Sequence, residues 1–115
     1  MFKVQGTNIT LTRGDTLIAE IGINRGTQTY TPVSTDVIRF AMKHIHMDAE
    51  RTQFLDERPV LTKAIPYDTL ILRLESADTK TLDFGIYAYD IQITFADGTV
   101  DTFITGRLTI AEEVD

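Results

Sequence analysis

Apolar and polar residues alternate along most of the sequence, and this alternation predicts β-strands. Between residues 16 and 23, and again between 36 and 43, apolar residues recur at every second position, as in a strand with one buried face. Residues 70–74 repeat the pattern, and a shorter apolar run at residues 60–65 precedes them. We expect these last two segments to pair as neighbouring strands.

The strongest strand signal lies between residues 85 and 95. Its apolar face consists of five residues at alternate positions: Tyr87, Tyr89, Ile91, Ile93 and Phe95. The Asp97-Gly98 pair that follows is typical of a two-residue type I′ hairpin turn, because both central residues of that turn need positive φ. A long return strand over residues 100–110 would complete the hairpin, with Gly106 as a candidate β-bulge.

Three segments interrupt the alternation. Residues 24–36 are rich in turn-forming residues and predict a loop or a short edge hairpin anchored by Tyr30. Residues 44–59 form the longest polar interval and predict a long loop, which is unusual in a compact domain and often functional. Residues 76–82 predict one short helical turn capped by Ser76.

These elements predict an all-β fold. About seven short strands, separated by Gly and Asp turns, favour an antiparallel immunoglobulin-like β-sandwich, with a small closed barrel as the alternative. The sequence has no Cys and no Trp, so this likeness concerns architecture alone, and the core must be held by packing rather than by a disulfide. With 115 residues, the chain has room for a single domain over residues 1–115.

Composition and charge narrow the classes of partner. The chain is 43% apolar and 24% charged, which is typical of a folded globular domain. Its net charge of −6 disfavours nucleic acid and anionic membrane surfaces as partners. We expect neither a signal peptide nor a transmembrane segment, because no apolar stretch is long enough for either role.

Candidate chemistry is sparse. His44 and His46 stand two positions apart at the end of a predicted strand, where extended backbone would direct both imidazoles to one side, and Asp48 continues that line. These three residues are the candidates for a metal site, although two surface histidines at a strand end are the more common arrangement. The sequence has no nucleophile, phosphate-binding or dinucleotide-binding motif. We therefore expect no enzymatic activity and no cofactor.

The tripeptide Arg13-Gly14-Asp15 matches the sequence that integrins recognise. A loop would expose it, but a turn before the strand at residues 16–23 explains it more simply. In such a turn Gly14 supplies an unusual φ and Asp15 accepts hydrogen bonds from backbone N–H groups. We expect a structural turn rather than an adhesive site.

Four sequence blocks resemble a known group of proteins. They are Leu11–Thr16, Asp78–Lys80, Phe84–Ile91 and Asp97–Ile104. In content and order they are similar to the N-terminal β-sandwich modules of baseplate upper proteins and related tail components of phages and prophages of Gram-positive bacteria. The resemblance implies a non-enzymatic structural module of a tail or baseplate, which contacts other phage structural proteins or copies of itself in the virion or in the host cytoplasm during assembly.

Two further functions stay open at this point. One is a free-standing carbohydrate- or ligand-binding β-sandwich. The other is a hydrolytic or metal enzyme that uses His44, His46 and scattered Asp residues. Tyr30, Phe54 and Tyr67 are the candidate contacts for a partner or a ligand, because aromatic rings offer large contact areas. For a protein partner we expect the contact to use an exposed sheet edge or the loop at residues 44–59.

Overall fold

The computed structural model describes residues 2–5, 7–25, 28–47, 52–54 and 58–112. Within these ranges the chain forms eleven strands and one short helix, α1 (Ser76–Thr79). The strands are β1 (Phe2–Gln5), β2 (Asn8–Thr12), β3 (Leu17–Glu20), β4 (Asn24–Arg25), β5 (Gln28–Thr29), β6 (Val37–Met47), β7 (Thr52–Phe54), β8 (Leu61–Ile65), β9 (Ile71–Leu74), β10 (Gly85–Thr94) and β11 (Val100–Ala111). The predicted all-β class is confirmed.

Seven of these strands form one large sheet. Its order is β1-β2-β11-β10-β6-β7, and β8 pairs with β6 on the same side as β7. All neighbouring pairs are antiparallel except β2 and β11, which run parallel from Ile9 beside Leu108 to Thr12 beside Ala111. The prediction of a purely antiparallel fold is therefore wrong for this sheet. Two smaller antiparallel pairs, β3–β9 and β4–β5, lie outside it.

The hydrophobic core is shared by the large sheet and the β3–β9 pair. Alternate residues of β2, β9 and β10 are buried in it, as the sequence pattern predicts for half-buried strands. The largest fully buried side chains are Tyr87, Phe40, Leu11, Leu17, Ile23, Ile38, Met42, Leu72, Leu74, Ile91, Ile93 and Leu108. Because burying a side chain of this size contributes roughly 1.5–3 kcal/mol, this face dominates the stability of the fold.

The predicted pairing of residues 60–65 with residues 70–74 is wrong. β8 pairs with β6 in the large sheet, whereas β9 pairs with β3. A turn between the two strands explains the separation: the N–H of Leu70 donates to the carbonyl of Pro66 at 2.9 Å, and Leu70 has φ 54°. This left-handed residue sends the chain out of the large sheet.

The β10–β11 hairpin is confirmed, but two details of its prediction are wrong. The N–H of Gly98 donates to the carbonyl of Phe95 at 2.9 Å, and Gly98 alone within the turn has positive φ, at 88°. This is the pattern of a three-residue loop with a glycine bulge rather than a type I′ turn. The register shift within the strands lies beside Phe103, between the Ile91 and Gln92 pairs, and not at Gly106.

Gly106 is instead a point of close approach between two backbone segments. A Cβ at this position would lie 2.2 Å from the carbonyl oxygen of Thr7 and 2.9 Å from the hydroxyl of Tyr89. That hydroxyl donates a hydrogen bond to the same Thr7 carbonyl. The missing side chain at residue 106 thus allows Tyr89 to tie the turn before β2 to the core face of β10.

The segment at residues 44–59 is not one long loop in the part that the structure describes. β6 continues to Met47 and pairs with β7 over residues 45–47 and 52–54; residues 48–51 and 55–57 lie outside the described residues. The predicted helical turn is present as α1, but its N-cap is Glu75 rather than Ser76. The carboxylate of Asp78 accepts the N–H of Glu75 at 2.7 Å, which satisfies a donor at the start of the helix.

Candidate functional site

The side of β6, β10 and β11 that points away from the core is the best candidate for a functional surface. Strand register places its residues in four rows across the three strands. We define the outer face by these twelve residues: Val37, Thr94 and Val100; Arg39, Gln92 and Thr102; Ala41, Asp90 and Thr105; and Lys43, Ala88 and Arg107. Each alternates with a residue of the core face, so packing within the fold does not dictate its identity.

A cleft of about 480 Å³ opens on the outer face. Two small residues, Ala41 and Ala88, line it together with longer side chains, among them Arg39, Lys43 and Gln92. Two alanines between longer neighbours leave a depression in an otherwise regular sheet surface. Its volume lies in the range of sites that bind small ligands or single side chains of a partner.

Asp90 is the acidic residue of this cleft. Its Oδ1 atom has no contact with solvent and accepts no hydrogen bond. A buried polar atom without a partner costs about 1–3 kcal/mol, and more when the group is charged. Natural structures rarely retain such an atom, because a buried polar group without a hydrogen bond destabilises the fold.

The charges of the outer face are opposite to those of the whole chain. Arg39, Lys43 and Arg107 supply three cations, whereas Asp90 is the one acidic residue placed there by the described strand register. The net charge of the chain is −6. Arg39 is exposed, and its Nη2 donates to Oε1 of Gln92 at 2.9 Å, which orients the guanidinium along the face. The outer face is therefore a basic surface on an acidic protein.

One end of the outer face is apolar. Val37 is 62% exposed and Val100 is 55% exposed, and they flank Thr94 in the first row. A valine side chain in a strand usually packs against the side chains of neighbouring strands. Two valines open to solvent beside a polar cleft together form the combination of apolar and polar surface that is common in protein interfaces.

Of the three predicted metal candidates, the structure describes only the side chain of His44. His44 lies on the core side of β6, where its ring stacks on Tyr87 at a centroid distance of 4.6 Å. The side chain of His46 and the whole of Asp48 lie outside the described residues. Among the residues that are described, no group of three or more His, Cys, Asp or Glu is placed to hold a metal ion.

Of the three predicted aromatic contacts, the structure describes the side chains of Tyr30 and Tyr67. The hydroxyl of Tyr30 donates to Oδ2 of Asp36 at 2.5 Å and its ring packs edge-on against Phe95, so Tyr30 anchors the β4–β5 hairpin as predicted. Tyr67 is 40% exposed in the turn between β8 and β9. The side chain of Phe54 lies outside the described residues.

The Arg13-Gly14-Asp15 segment forms a packed turn. The guanidinium of Arg13 lies 4.1 Å from the ring centroid of Phe84, and the N–H of Gly14 donates to Oγ1 of Thr79 at 3.1 Å. The predicted unusual φ of Gly14 is confirmed at 87°. All three residues are only partly exposed, so the tripeptide is held against α1 and Phe84 rather than presented on a free loop.

Sequence reasoning did not identify the outer face as the candidate site, although one signal for it was available. The polar positions of the strands at residues 36–43 and 85–95 contain two alanines, Ala41 and Ala88, where charged or amide side chains would be expected. The register of the strands places these two alanines beside Asp90, and the sequence alone does not give that register.

No family model, curated protein or solved structure matches the chain. In the part of the chain that the structure describes, no helix is long and apolar enough to cross a membrane.

Proposed function

We propose that the chain is a non-enzymatic structural module that works through protein–protein contacts made by the outer face. One observation carries this proposal: a four-row sheet surface combines exposed valines, a cleft and the carboxylate of Asp90, whose Oδ1 is buried without a hydrogen bond. Such surfaces suit partner binding, because an apolar part supplies affinity and polar groups supply specificity. The sequence blocks that resemble phage baseplate proteins support a place in a phage or prophage tail or baseplate, with other structural proteins as partners.

We also propose that the fold is an immunoglobulin-like sandwich of the variable type. Three features support it. The sheet order β11-β10-β6, followed by β8 and β7, parallels the G-F-C-C′ sheet of such domains, and the β3–β9 pair parallels strands B and E. The hydroxyl of Tyr87, near the start of β10, donates to the carbonyl of Asp83 at 2.7 Å, as in a tyrosine corner.

A carbohydrate-binding function has less support. A sugar site built on aromatic contacts needs exposed aromatic rings, and none of the twelve residues of the outer face is aromatic. Tyr67 lies in the turn between β8 and β9, and the guanidinium of Arg13 lies over the ring of Phe84. Neither ring is placed beside the cleft to stack on a sugar.

The test is complex formation with structural proteins encoded by neighbouring genes. The purified chain is mixed with each of them, and the mass of any complex is measured by size-exclusion chromatography with light scattering. We expect the double variant Val37→Asp, Val100→Asp to weaken the complex at least about tenfold, because charges would replace the apolar row. The matched control is Ile18→Asp, whose side chain is 46% exposed on the β3–β9 pair.

Two results would contradict the proposed function. One is the absence of a complex with every neighbouring structural protein, together with a monomer mass at all concentrations. The other is an equal loss of binding in the outer-face variant and in the Ile18→Asp control.

A further inference from the structure

Three charged residues of the outer face lie on one diagonal line. Register places Arg39 opposite Gln92, Asp90 opposite Ala41 and Thr105, and Arg107 opposite Ala88. Each step from Arg39 to Asp90 to Arg107 is therefore one strand across and two residues along. With about 4.8 Å between strands and about 3.3 Å per residue, each step spans about 8 Å. The diagonal presents a positive, a negative and a positive charge in order.

The central charge is the one that lacks a partner. Asp90 Oδ1 accepts no hydrogen bond, although Arg39 and Lys43 lie one row away on β6. Nη2 of Arg39 donates to Gln92 rather than to Asp90. Arg39 is exposed, and its guanidinium has further N–H donors. Arg107 is also exposed. A ligand with complementary charge therefore carries a cationic group at the centre and a carboxylate on either side.

We propose that the outer face recognises an extended segment of a protein partner in which a basic residue stands between two acidic residues. In an extended segment the side chains at i, i+2 and i+4 point the same way and lie about 6.6 Å apart, close to the spacing of the diagonal. The two carboxylates would accept from Arg39 and Arg107, and the central ammonium or guanidinium would enter the cleft beside Asp90. The inference rests on the proposed function and adds the chemistry of the partner.

Asp90 then acts as a selectivity residue. A surface with only Arg39 and Arg107 would attract any anionic polymer. One carboxylate among these cations lowers the affinity for a continuous run of acidic groups and raises it for an alternating one. Specificity of this kind costs the isolated protein some stability, because Oδ1 of Asp90 is buried without a hydrogen bond.

Three short peptides test this pattern, each with blocked ends and Gly at the intervening positions. Their charged residues are Glu-x-Lys-x-Glu, Glu-x-Glu-x-Glu and Lys-x-Glu-x-Lys. Binding to the intact chain is followed at low salt by changes in the backbone NMR signals of the three strands. We expect the Glu-x-Lys-x-Glu peptide to bind most tightly, with saturable shifts at Ala88, Asp90 and Arg107, and to lose affinity as salt rises.

Substitution of Asp90 distinguishes recognition of the alternating charge pattern from non-specific attraction of acidic peptides. We expect Asp90→Asn to weaken binding of the Glu-x-Lys-x-Glu peptide about fivefold. The same variant should strengthen binding of the Glu-x-Glu-x-Glu peptide, because it removes a negative charge that repels the central Glu. The same variant should melt at a higher temperature than the wild type. Arg39→Gln and Arg107→Gln should each weaken Glu-x-Lys-x-Glu, whereas the control Arg73→Gln, on β9, should not.

Several outcomes would overturn the inference. If Glu-x-Glu-x-Glu binds the wild type more tightly than Glu-x-Lys-x-Glu, the face is a general polyanion surface. Equal binding of Lys-x-Glu-x-Lys, or a lower melting temperature for Asp90→Asn, would also contradict it. The peptide experiment needs no natural partner, so its failure leaves the proposed function standing if a complex with neighbouring proteins forms. If the peptide binds but no complex with neighbouring proteins forms, the charge pattern of the ligand is supported and the proposed function is contradicted.

Discussion

The two faces of β6 and β10 have the same backbone and opposite chemistry. On the core face, Ile38, Phe40 and Met42 alternate with Arg39, Ala41 and Lys43 of the outer face. The core face leaves no freedom in residue size, because its side chains are closely packed. The outer face carries the unpartnered Asp90 and exposed valines, which a fold alone does not need. The residues that stabilise the fold therefore alternate, along the same strands, with those of the proposed contact surface.

The largest expected effect comes from neighbouring residues on the two faces of β6. Phe40 is fully buried, and Phe40→Ala should lower the free energy of unfolding by about 3–5 kcal/mol through lost contacts and a cavity. Arg39→Ala, one residue away on the outer face, should change it by no more than about 0.5 kcal/mol. Urea unfolding followed by circular dichroism measures both. Similar losses in the two variants would mean that the outer face also stabilises the fold.

A smaller effect tests how tightly the core side of β11 is packed. Gly106→Ala should lower the free energy of unfolding by about 1–3 kcal/mol, because the added methyl would meet the Thr7 carbonyl at 2.2 Å. Gly22→Ala is the control, since no atom lies within 4 Å of a Cβ at that position. It should leave stability unchanged or raise it by up to about 1 kcal/mol. Wild-type stability in Gly106→Ala would contradict the close approach.

The smallest effect concerns a polar group of the core face. Burial raises the pKa of the Tyr89 hydroxyl above its usual value of 10.0. The folded state therefore holds this proton more tightly than the unfolded state, and stability present below pH 10 is lost as the pH rises through the higher folded pKa. Urea unfolding at pH 8 and pH 10.5 should show a steeper loss in the wild type than in Tyr89→Phe. Parallel losses would contradict the linkage.

Local pattern accounts for the elements that the sequence predicts well. The alternation in β6 and β10 is strong because one side of each strand faces the core and the other faces solvent. The β10–β11 hairpin follows from Asp97-Gly98 between two such runs, although the exact turn depends on which residues take positive φ. Tyr30 as the anchor of a short hairpin also follows from its place among turn-forming residues.

Non-local geometry accounts for what the sequence does not predict. The parallel pairing of β2 with β11 has no local signal, and Leu70 gives no hint of the left-handed φ that sends β9 to β3. Gly106 fits a bulge and a close approach equally well until the position of Thr7 is known. The diagonal of charges on the outer face depends on the register of three strands, so it could not be predicted from spacing along the chain.

The parallel pairing of β2 with β11 also sets the order in which the protein can be completed during synthesis. The N–H of Arg107 donates to the side chain of Asn8 across 99 positions of sequence. At roughly 5–20 residues per second, a ribosome needs roughly 5–20 s to reach β11 after it has made β2. During that time Ile9 and Leu11 lack the strand that pairs with β2 in the finished sheet. In the nascent chain, Ile9 and Leu11 are thus apolar residues that a chaperone can bind before the sheet closes.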